Sequence, residues 1–471
     1  MTMGQEARLN DHPLWTTDPA VRQAYSEDAS GLIGLPDAVA RPKEEKEIVE
    51  IIRACAARKI PVTPQGSRSS TVAGPLAFGG LALSLEGMDR VIDLDLVHRL
   101  AIVEPGVNLG EFKRSLAGTG LFYAPDPTSE DESTVGGSIA ANASGARSYR
   151  YGSTRGHIRA LRVVLGDGSV TEVTRSRASK NTAGYFGFQD PVDLLVGSEG
   201  TLGIVTRATL DLLPAPPGFL AAMGFFPSLA EALGFALAAD ESRRAGRLRP
   251  RCLELFDEGS LDLIRPVETG IKIPEGTRAA IFFEQEYAGE DDDGGMEDWY
   301  GLLEASGAYA DATVVAANEE RQTELRKLRH AIPAGMNEKG QAARDMGGRK
   351  LSTDWAVPLD ELPRMIEEAS RIVRDTFGGF FIRYGHIGNG HPHFNLLAED
   401  AAALERAREA THRMALLAVE RGGTVTAEHG VGKVKREYLK YQYPAWVVEA
   451  MRAVKRRLDP AGVLAPGNIF E

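Results

Sequence analysis

The segment "YGHIGNGHPHFN", residues 384–395, contains three of the chain's nine histidines: His386, His391 and His393. Two imidazoles and a carboxylate make an open site suited to zinc, manganese or iron(II), with coordination positions left for substrate oxygens. The "GNG" between the first two histidines favours a tight turn, which would bring the strands that carry His386 and His393 together. A single histidine on a strand is more often structural, so the clustering is what indicates a metal site.

A second segment, "TAEHGVGK", residues 426–433, places Glu428 directly beside His429. On an extended backbone, neighbouring side chains point to opposite faces, so one of the two could reach a metal and the other a substrate. Histidine changes its protonation near neutral pH, which suits a general base. The two segments together predict proton transfer beside a metal.

Composition narrows the classes of function. A chain of 471 residues predicts two domains, with or without an inserted one, and the formal net charge of −12 argues against nucleic acid as the main partner. The start of the chain shows no signal-peptide pattern, and Pro227 and Glu231 interrupt the most apolar stretch. We therefore expect a cytoplasmic protein without a membrane span. The two cysteines, Cys55 and Cys252, are too few for an iron–sulfur cluster and are expected to be buried free thiols.

The first third of the chain alternates predicted strands and helices. Residues 42–61 have the apolar face of an amphipathic helix. Asn108 and Glu111 have the spacing of a capping box, and "LRVVLGDGSVTEV", residues 161–173, predicts a hairpin. The proline-rich segment "LLPAPPG", residues 212–218, predicts a boundary, beyond which we expect a small α+β unit.

Three loops are rich in Gly, Ser, Thr and Asn: residues 64–74, 125–152 and 197–206. None has the G-x-G-x-x-G pattern between strand and helix that a Rossmann site needs, and "GVGKV" lacks the Ser or Thr and the upstream Gly of a P-loop. Such loops can still wrap a pyrophosphate through backbone N–H groups and hydroxyls. One loop alone would suggest only a turn, but three in one domain indicate a large, phosphate-bearing cofactor.

The order of "TVGGSIAANASGARSYRYGSTRGHI" and "DLLVGSEGTLGIVT" resembles the vanillyl-alcohol-oxidase-type flavoprotein fold. The histidine and "EHG" segments are similar to those of its D-lactate, glycolate and D-2-hydroxyglutarate dehydrogenase branch. This resemblance implies an α+β fold with a two-subdomain FAD-binding (PCMH-type) domain, residues 1–215. It further implies an α+β substrate-binding cap, residues 216–420, and a C-terminal segment, residues 421–471, that returns to the FAD domain.

The resemblance also implies non-covalent FAD binding by the three loops and by one asparagine near the C-terminus. Ser67, Ser69, Ser70 and Ala73 differ from the residues usual in "PQGGNTGLVGG", which predicts altered contacts at the pyrophosphate and leaves the strength of FAD binding open. The implied cofactor-binding residues are Pro64, Gln65, Gly66, Ser67, Arg68, Ser69, Ser70, Pro127, Thr128, Ser129, Thr134, Gly136, Gly137, Asn142, Ser144, Gly145, Glu199, Gly200, Gly203, Ile204, Val205 and Asn468.

The family motif G-H-x-G-D-G-N-x-H followed by E-H-G implies that His386, His393 and Glu428 bind a divalent metal (Zn, Mn or Fe). It assigns His429 as the catalytic base. The expected reaction is oxidation of a D-2-hydroxy acid such as lactate, glycolate or 2-hydroxyglutarate to the 2-oxo acid, with hydride transfer to flavin N5.

Three further residues match substrate-binding positions of the family. Arg329 and Lys350 correspond to residues that bind the substrate carboxylate, and Asn395 to a polar residue beside the metal. Arg329 lies in a charged helix and Lys350 could pair with a surface carboxylate, so solvated or structural roles are equally good interpretations of both.

Two residues depart from the motif: Asn389 stands for the usual Asp and His391 for the usual Asn. On an extended strand His391, His393 and Asn395 face the same side. We hypothesise that His391 contacts the substrate or adds a metal ligand. A histidine that only orients a ligand is at least as good an interpretation.

Several questions stay open at the level of sequence. The electron acceptor could be a quinone, a cytochrome, an electron-transfer flavoprotein or an iron–sulfur subunit. One alternative is a flavin subunit of a multi-subunit electron-transfer complex, and another is a non-redox enzyme like alkyl-glycerone-phosphate synthase. A homodimer is possible, and the particular hydroxy acid is not determined.

Overall fold

The computed structural model describes Leu9 and residues 12–267, 270–289, 291–316 and 318–470. The chain forms two compact units. Unit 1 comprises Met1–Gly145, Gly152–Ala215 and Glu428–Glu471, and unit 2 comprises Ala146–Tyr151 and Pro216–Ala427. Each unit combines helices with sheets, as the predicted α+β class requires.

Helices occur in both units, and the two longest, of 24 and 20 residues, lie in the second. In chain order they are α1 (Pro19–Ala24), α2 (Glu45–Arg58), α3 (Leu109–Ser115), α4 (Val135–Ala141), α5 (Ser148–Tyr151), α6 (Val192–Leu195), α7 (Leu229–Arg244), α8 (Glu258–Ile264), α9 (Met296–Ala305), α10 (Glu319–Ala342), α11 (Leu362–Ile372), α12 (Ala401–Glu420), α13 (Leu439–Gln442) and α14 (Ala445–Leu458). Within the described residues, none of them is both long enough and apolar enough to cross a membrane.

Unit 1 contains a four-stranded sheet, a five-stranded antiparallel sheet and a two-stranded ribbon. The first sheet has the order β1 (Trp15–Thr16), β2 (Ala38–Ala40), β4 (Leu81–Ser84), β3 (Val62–Gln65). The second has the order β5 (Val91–Asp95), β6 (Leu100–Val103), β10 (Ile204–Asp211), β8 (Ile158–Val164), β9 (Val170–Thr174), and the ribbon joins β7 (Leu121–Phe122) to β11 (Leu213–Pro214).

Local sequence signals explain several of these elements. The predicted helix cap at Asn108 is confirmed, because its side chain accepts the backbone N–H of Glu111 at 2.9 Å. The predicted hairpin is confirmed by the antiparallel pairing of β8 with β9. The predicted amphipathic helix is α2. Its apolar face, formed by Ile48, Ile51, Ile52 and Cys55, is fully buried. Cys55 and Cys252 are buried free thiols, as expected.

Unit 2 is built on one seven-stranded antiparallel sheet. Its order is β15 (Val314–Ala316), β12 (Phe219–Phe226), β14 (Ala279–Glu286), β13 (Pro250–Asp257), β17 (Phe381–Gly385), β18 (His393–Asp400), β16 (Gly347–Ser352). Apolar residues of α7, α9, α11 and α12 form one core with this sheet, and those of α8 and α10 form a second. Because β-strand side chains alternate between faces, both faces of the sheet are covered.

The first of these cores contains an aromatic cluster around Phe235 of α7. Its ring is fully buried, with centroids 5.4 Å from Phe226, 5.8 Å from Phe283 and 5.8 Å from Trp299. We expect Phe235→Ala to lower the free energy of unfolding by about 3–5 kcal/mol, because the cavity cannot close fully. Urea denaturation followed by Trp fluorescence measures the change. The exposed Glu241→Ala on the same helix is the control, with an expected change within about 0.5 kcal/mol. Equal losses in both variants would contradict this account of the core.

Candidate active site

Three histidines meet at the turn between β17 and β18 in unit 2. The turn closes through two bonds to the carbonyl of His386, from the N–H of Asn389 (3.1 Å) and from that of His391 (3.1 Å). The rings of His386, His391 and His393 are 4%, 4% and 7% exposed, and their centroids lie 4.6–5.6 Å apart. The structure therefore brings the three side chains together as the turn predicts, while the substituted Asn389 is exposed to solvent.

Two of these histidines have an orienting partner on Nδ1. His386 Nδ1 lies 2.7 Å from Glu254 Oε1, and His393 Nδ1 lies 3.2 Å from the carbonyl oxygen of Thr353. Metal-binding histidines characteristically place one nitrogen on such an acceptor, which fixes the ring and directs the other nitrogen to the ion. The donor set thus fits a divalent transition metal.

Glu254 on β13 connects this cluster to Arg329. The carboxylate is 1% exposed and accepts a bond from Arg329 Nε at 3.0 Å. Burial opposes ionisation of Glu254, but His386 and Arg329 overcome it and lower its pKa to about 2. Arg329, predicted to bind the substrate carboxylate, is thus held by an ion pair beside the histidines.

The other two predicted substrate residues lie on neighbouring strands. Lys350 of β16 is opposite Leu397, two residues along β18 from Asn395, so both side chains belong to one face of the sheet. Lys350 Nζ donates to Asn337 Oδ1 at 2.6 Å, and burial lowers its pKa. Asn395 is fully buried; its Nδ2 donates to Tyr384 Oη at 3.1 Å, and its Oδ1 has no hydrogen-bond partner among the described residues.

The "EHG" segment begins where unit 2 ends. In unit 2 the N–H of Ala427 donates to the carbonyl of Asp354 at 2.7 Å, and the Thr426 hydroxyl donates to the Asp354 carboxylate. Glu428 and His429 follow directly and open the last segment of unit 1. The expected divergence of their side chains is wrong: the backbone bends here, and His429 Nε2 lies 3.3 Å from Glu428 Oε1.

In unit 1, close backbone approaches join the glycine-rich loops. A Cβ on Gly66 would lie 2.4 Å from Thr134 Oγ1, and one on Gly200 would lie 2.3 Å from Pro64 Cγ. One on Gly145 would lie 2.0 Å from the carbonyl oxygen of Asp126. A side chain at Gly66 or Gly200 would therefore push two loops apart, and one at Gly145 would collide with backbone of its own loop.

The first of these loops, residues 64–74, carries the substitutions noted in the sequence. Arg68 and Ala73 have φ of 63° and 58°, a left-handed conformation that costs about 1 kcal/mol or more for residues other than Gly. Arg68 Nη1 donates to Glu86 Oε2 at 3.3 Å, and Ser69 Oγ lies 3.2 Å from Ser133 Oγ. The guanidinium charge is thus already shared with a carboxylate.

Glu199, in the third loop, binds backbone rather than facing solvent. Its carboxylate accepts the N–H groups of Val431 (2.6 Å) and Gly432 (2.7 Å), and burial raises its pKa. Asn468 Nδ2 donates to the carbonyl oxygens of Gly74 (2.9 Å) and Glu199 (3.0 Å). Asn468 therefore ties the first loop to the third.

Two family models match the chain. Residues 219–469 match that of the FAD linked oxidases, C-terminal domain, and residues 36–174 match that of an FAD binding domain. The chain belongs to the FAD-linked oxidases. It is accordingly an FAD-dependent oxidoreductase, and the predicted family is confirmed.

Relatives cover nearly the whole of this FAD-linked oxidase. Glycolate oxidase subunit GlcD of Bacillus subtilis is 32% identical over 457 residues, 96% of this chain and 93% of that protein. D-2-hydroxyglutarate dehydrogenase of Xanthomonas citri pv. viticola is 30% identical over 465 residues, 97% and 94% of the two chains. The solved structure of p-cresol methylhydroxylase aligns with a TM-score of 0.74 at 15% identity, covering 99% of this chain and 95% of that one. That likeness confirms the predicted PCMH-type fold.

The residues of unit 1 fit a bound FAD. Gln65 is 1% exposed, and its Nε2 donates to the Pro75 carbonyl at 2.6 Å. Its Oε1 and the Oγ of Ser138 are buried and have no hydrogen-bond partner among the described residues. Buried polar atoms are nearly always satisfied in the working state, so these two call for a polar ligand.

Three residues of the FAD-linked oxidase were missed by the sequence predictions: Glu254, Asp354 and Lys433. Glu254 gave the clearest signal, as a charged residue inside the apolar run "CLELF". Asp354 lies in "STDWAVP", where nothing marks it as buried. Lys433 belongs to "GVGK", which yields no P-loop; its Nζ donates to Asn468 Oδ1 (2.5 Å) and to the Gly74 carbonyl (3.2 Å).

Lys433 should make the stability of the protein depend measurably on pH. Burial lowers its pKa from 10.5 to about 8, so the folded state releases this proton at lower pH than the unfolded chain does. Its contribution to stability should therefore rise with pH between about 8 and 10.5, by at most about 3 kcal/mol. Urea denaturation of the wild type and Lys433→Met, compared at pH 7.5 and pH 10, isolates this contribution. If the free energy of unfolding depended on pH as strongly in Lys433→Met as in the exposed control Lys440→Met, the contribution of Lys433 would be ruled out.

Proposed function

We propose that the chain is an FAD- and divalent-metal-dependent dehydrogenase that oxidises a D-2-hydroxy acid to the 2-oxo acid. One observation carries the proposal: an FAD-linked oxidase places three buried histidines together, two of them oriented through Nδ1 by Glu254 and by the Thr353 carbonyl. A histidine cluster so oriented has the form of a metal site. The similarity to a glycolate oxidase subunit and to a D-2-hydroxyglutarate dehydrogenase, both named for 2-hydroxy acids, supports the substrate class.

FAD would be held by the glycine-rich loops of unit 1. When bound, the flavin accepts a hydride from the substrate carbon. Gly66, Gly145 and Gly200 keep the loops close, and Gln65 and Ser138 offer buried polar atoms toward the cofactor. Asn468 stabilises the arrangement by bridging the first and third loops. We further assign FAD binding to residues 1–215 and 421–471, and substrate binding to residues 216–420.

The metal would be held by His386, His393 and Glu428. When bound, a divalent cation makes the hydroxyl of a chelating 2-hydroxy acid more acidic. Glu254 and the Thr353 carbonyl hold the two imidazoles in place. Glu428 directly follows Ala427, whose N–H donates to the carbonyl oxygen of Asp354, so the backbone just before Glu428 is held in place.

His429 would take the hydroxyl proton, and its neighbour Glu428 Oε1, at 3.3 Å, can stabilise the resulting imidazolium. Arg329 and Lys350 would bind the substrate carboxylate. Glu254 positions Arg329 at 3.0 Å, and the half-buried Lys350 ammonium would gain a counter-ion on binding an anionic substrate. Asn395 Oδ1, buried without a partner among the described residues, would accept a hydrogen bond from the substrate.

The electrons must leave through a second protein or a small acceptor. With two cysteines in the whole sequence, the chain cannot supply four thiolates to an iron–sulfur cluster of its own. We infer a quinone, a cytochrome, an electron-transfer flavoprotein or an iron–sulfur subunit as acceptor. Because GlcD is named as a subunit, a flavin subunit of a larger complex is the second candidate.

Anaerobic addition of D-lactate, glycolate or D-2-hydroxyglutarate to the flavin-loaded protein tests the reaction. We expect one acid to bleach the flavin rapidly, prior chelation to abolish bleaching and added metal to restore it. His429→Gln should slow bleaching by about 100- to 10,000-fold, because the base is lost. The exposed His98→Gln is the matched control. No bleaching by any acid would contradict the proposed reaction, and bleaching indifferent to chelation would remove the metal from it.

Glu254→Gln tests the orientation of His386 separately from turnover. The amide keeps the shape of the side chain but loses the charge that Arg329 and His386 share. We expect metal affinity to fall about 10- to 100-fold, measured by competition with a chromophoric chelator. Glu399→Gln, an exposed carboxylate of β18, is the control. Unchanged affinity in Glu254→Gln would mean that this carboxylate serves only the fold.

A further inference from the structure

His391 occupies a position where the family motif has Asn, yet its ring lies inside the histidine cluster. Its centroid is 5.6 Å from that of His386 and 4.6 Å from that of His393. One ligand nitrogen from each of the three rings lies within 4.8 Å of the others. We propose that His391 is a third imidazole ligand, so that unit 2 binds the divalent metal through three histidines. This inference rests on the proposed metal dependence of the enzyme.

Backbone contacts hold His391 in place within the turn. Its N–H donates to the His386 carbonyl at 3.1 Å, and the N–H of Val357 donates to the Gly390 carbonyl at 3.0 Å. Gly390 has φ of 66°, and a Cβ there would lie 1.9 Å from the Val357 carbonyl oxygen. The turn therefore has one tight arrangement, and His391 requires little reorganisation to bind a cation.

Asp354 lies beside His391 at ion-pair distance, on the other ring nitrogen from the one that holds His386 and His393. Its Oδ1 lies 3.3 Å from His391 Nε2, and it is 4% exposed. Its carboxylate also accepts the Thr426 hydroxyl, and its carbonyl accepts the N–H of Ala427. Each of the three rings thus has a neighbouring oxygen: Glu254 and Thr353 lie at hydrogen-bond distance from Nδ1, and Asp354 lies at ion-pair distance from Nε2. A histidine that merely replaced Asn as a partner of Asp354 would need no approach to the other two rings.

Three imidazoles change which metals the site prefers. Nitrogen-rich sets favour zinc, iron(II), cobalt and nickel, whereas Mg²⁺ and Ca²⁺ prefer oxygen ligands. A third imidazole takes up one more coordination position than the two-histidine motif does, which leaves fewer positions for substrate oxygens. We therefore expect a borderline transition metal, and zinc is the probe.

X-ray absorption at the zinc K-edge of the flavin-loaded, zinc-reconstituted full chain counts the coordinated imidazoles. We expect three in the wild type and two in His391→Asn, with zinc affinity lowered at least about tenfold in the variant. His98→Asn, at an exposed histidine between β5 and β6, is the matched control and should keep three. Retained flavin content and an unchanged thermal midpoint show that His391→Asn is folded, and His391→Gln gives a second variant if it is not.

The outcomes separate this inference from the proposed function. A count of two zinc-bound imidazoles in both the wild type and His391→Asn, together with loss of zinc binding in His386→Asn, would overturn the proposal of a third ligand. The metal site itself would stand. Failure of the wild type to retain zinc would overturn both.

Discussion

The candidate site in unit 2 depends on one buried carboxylate. Glu254 is ionised at 1% exposure because Arg329 and His386 both bind it, at 3.0 and 2.7 Å. An isolated buried charge would cost several kcal/mol, so Glu254 on β13 is stable only if α10 and the β17–β18 turn are in place. The fold and the site therefore form together. The same contacts hold the imidazole of His386, proposed to bind a metal, and the guanidinium of Arg329, proposed to bind the substrate.

The histidine cluster adds a steric constraint to this electrostatic one. Gly385 has φ of 102°, and a Cβ there would lie 2.8 Å from His393 Cδ2. Gly390 is likewise closed against Val357. These two glycines allow a tight turn, in which the ring centroids of His386 and His393 lie 5.3 Å from each other. Rigid backbone of this kind suits a site whose geometry must be set before the ligand arrives.

Unit 1 uses a second buried carboxylate in a different way. Glu199 accepts two N–H groups just after His429, which ties the third glycine-rich loop to the segment bearing the proposed base. Hydrogen bonds to the charged form oppose the effect of burial, which raises the pKa of Glu199. The third glycine-rich loop and the "EHG" segment are thereby joined by hydrogen bonds, although Glu199 and Val431 lie 232 positions apart in the chain.

Much of this protein was determined by its sequence alone. Capping at Asn108, the amphipathic pattern of α2 and the "GNG" turn are local features, because they depend on residues a few positions apart. The α+β class and the flavoprotein family followed from the order of long motifs. The residues that hold the site side chains did not follow from the sequence. Glu254 contacts His386, 132 positions away in the chain, and Arg329, 75 positions away. The sequence predicted that the side chains of Glu428 and His429 diverge, because it did not show the backbone bend that brings Glu428 Oε1 to 3.3 Å from His429 Nε2. Tertiary structure alone decided which carboxylates are buried and what they hold, since pairing of buried charges depends on distance in space and not on separation along the chain.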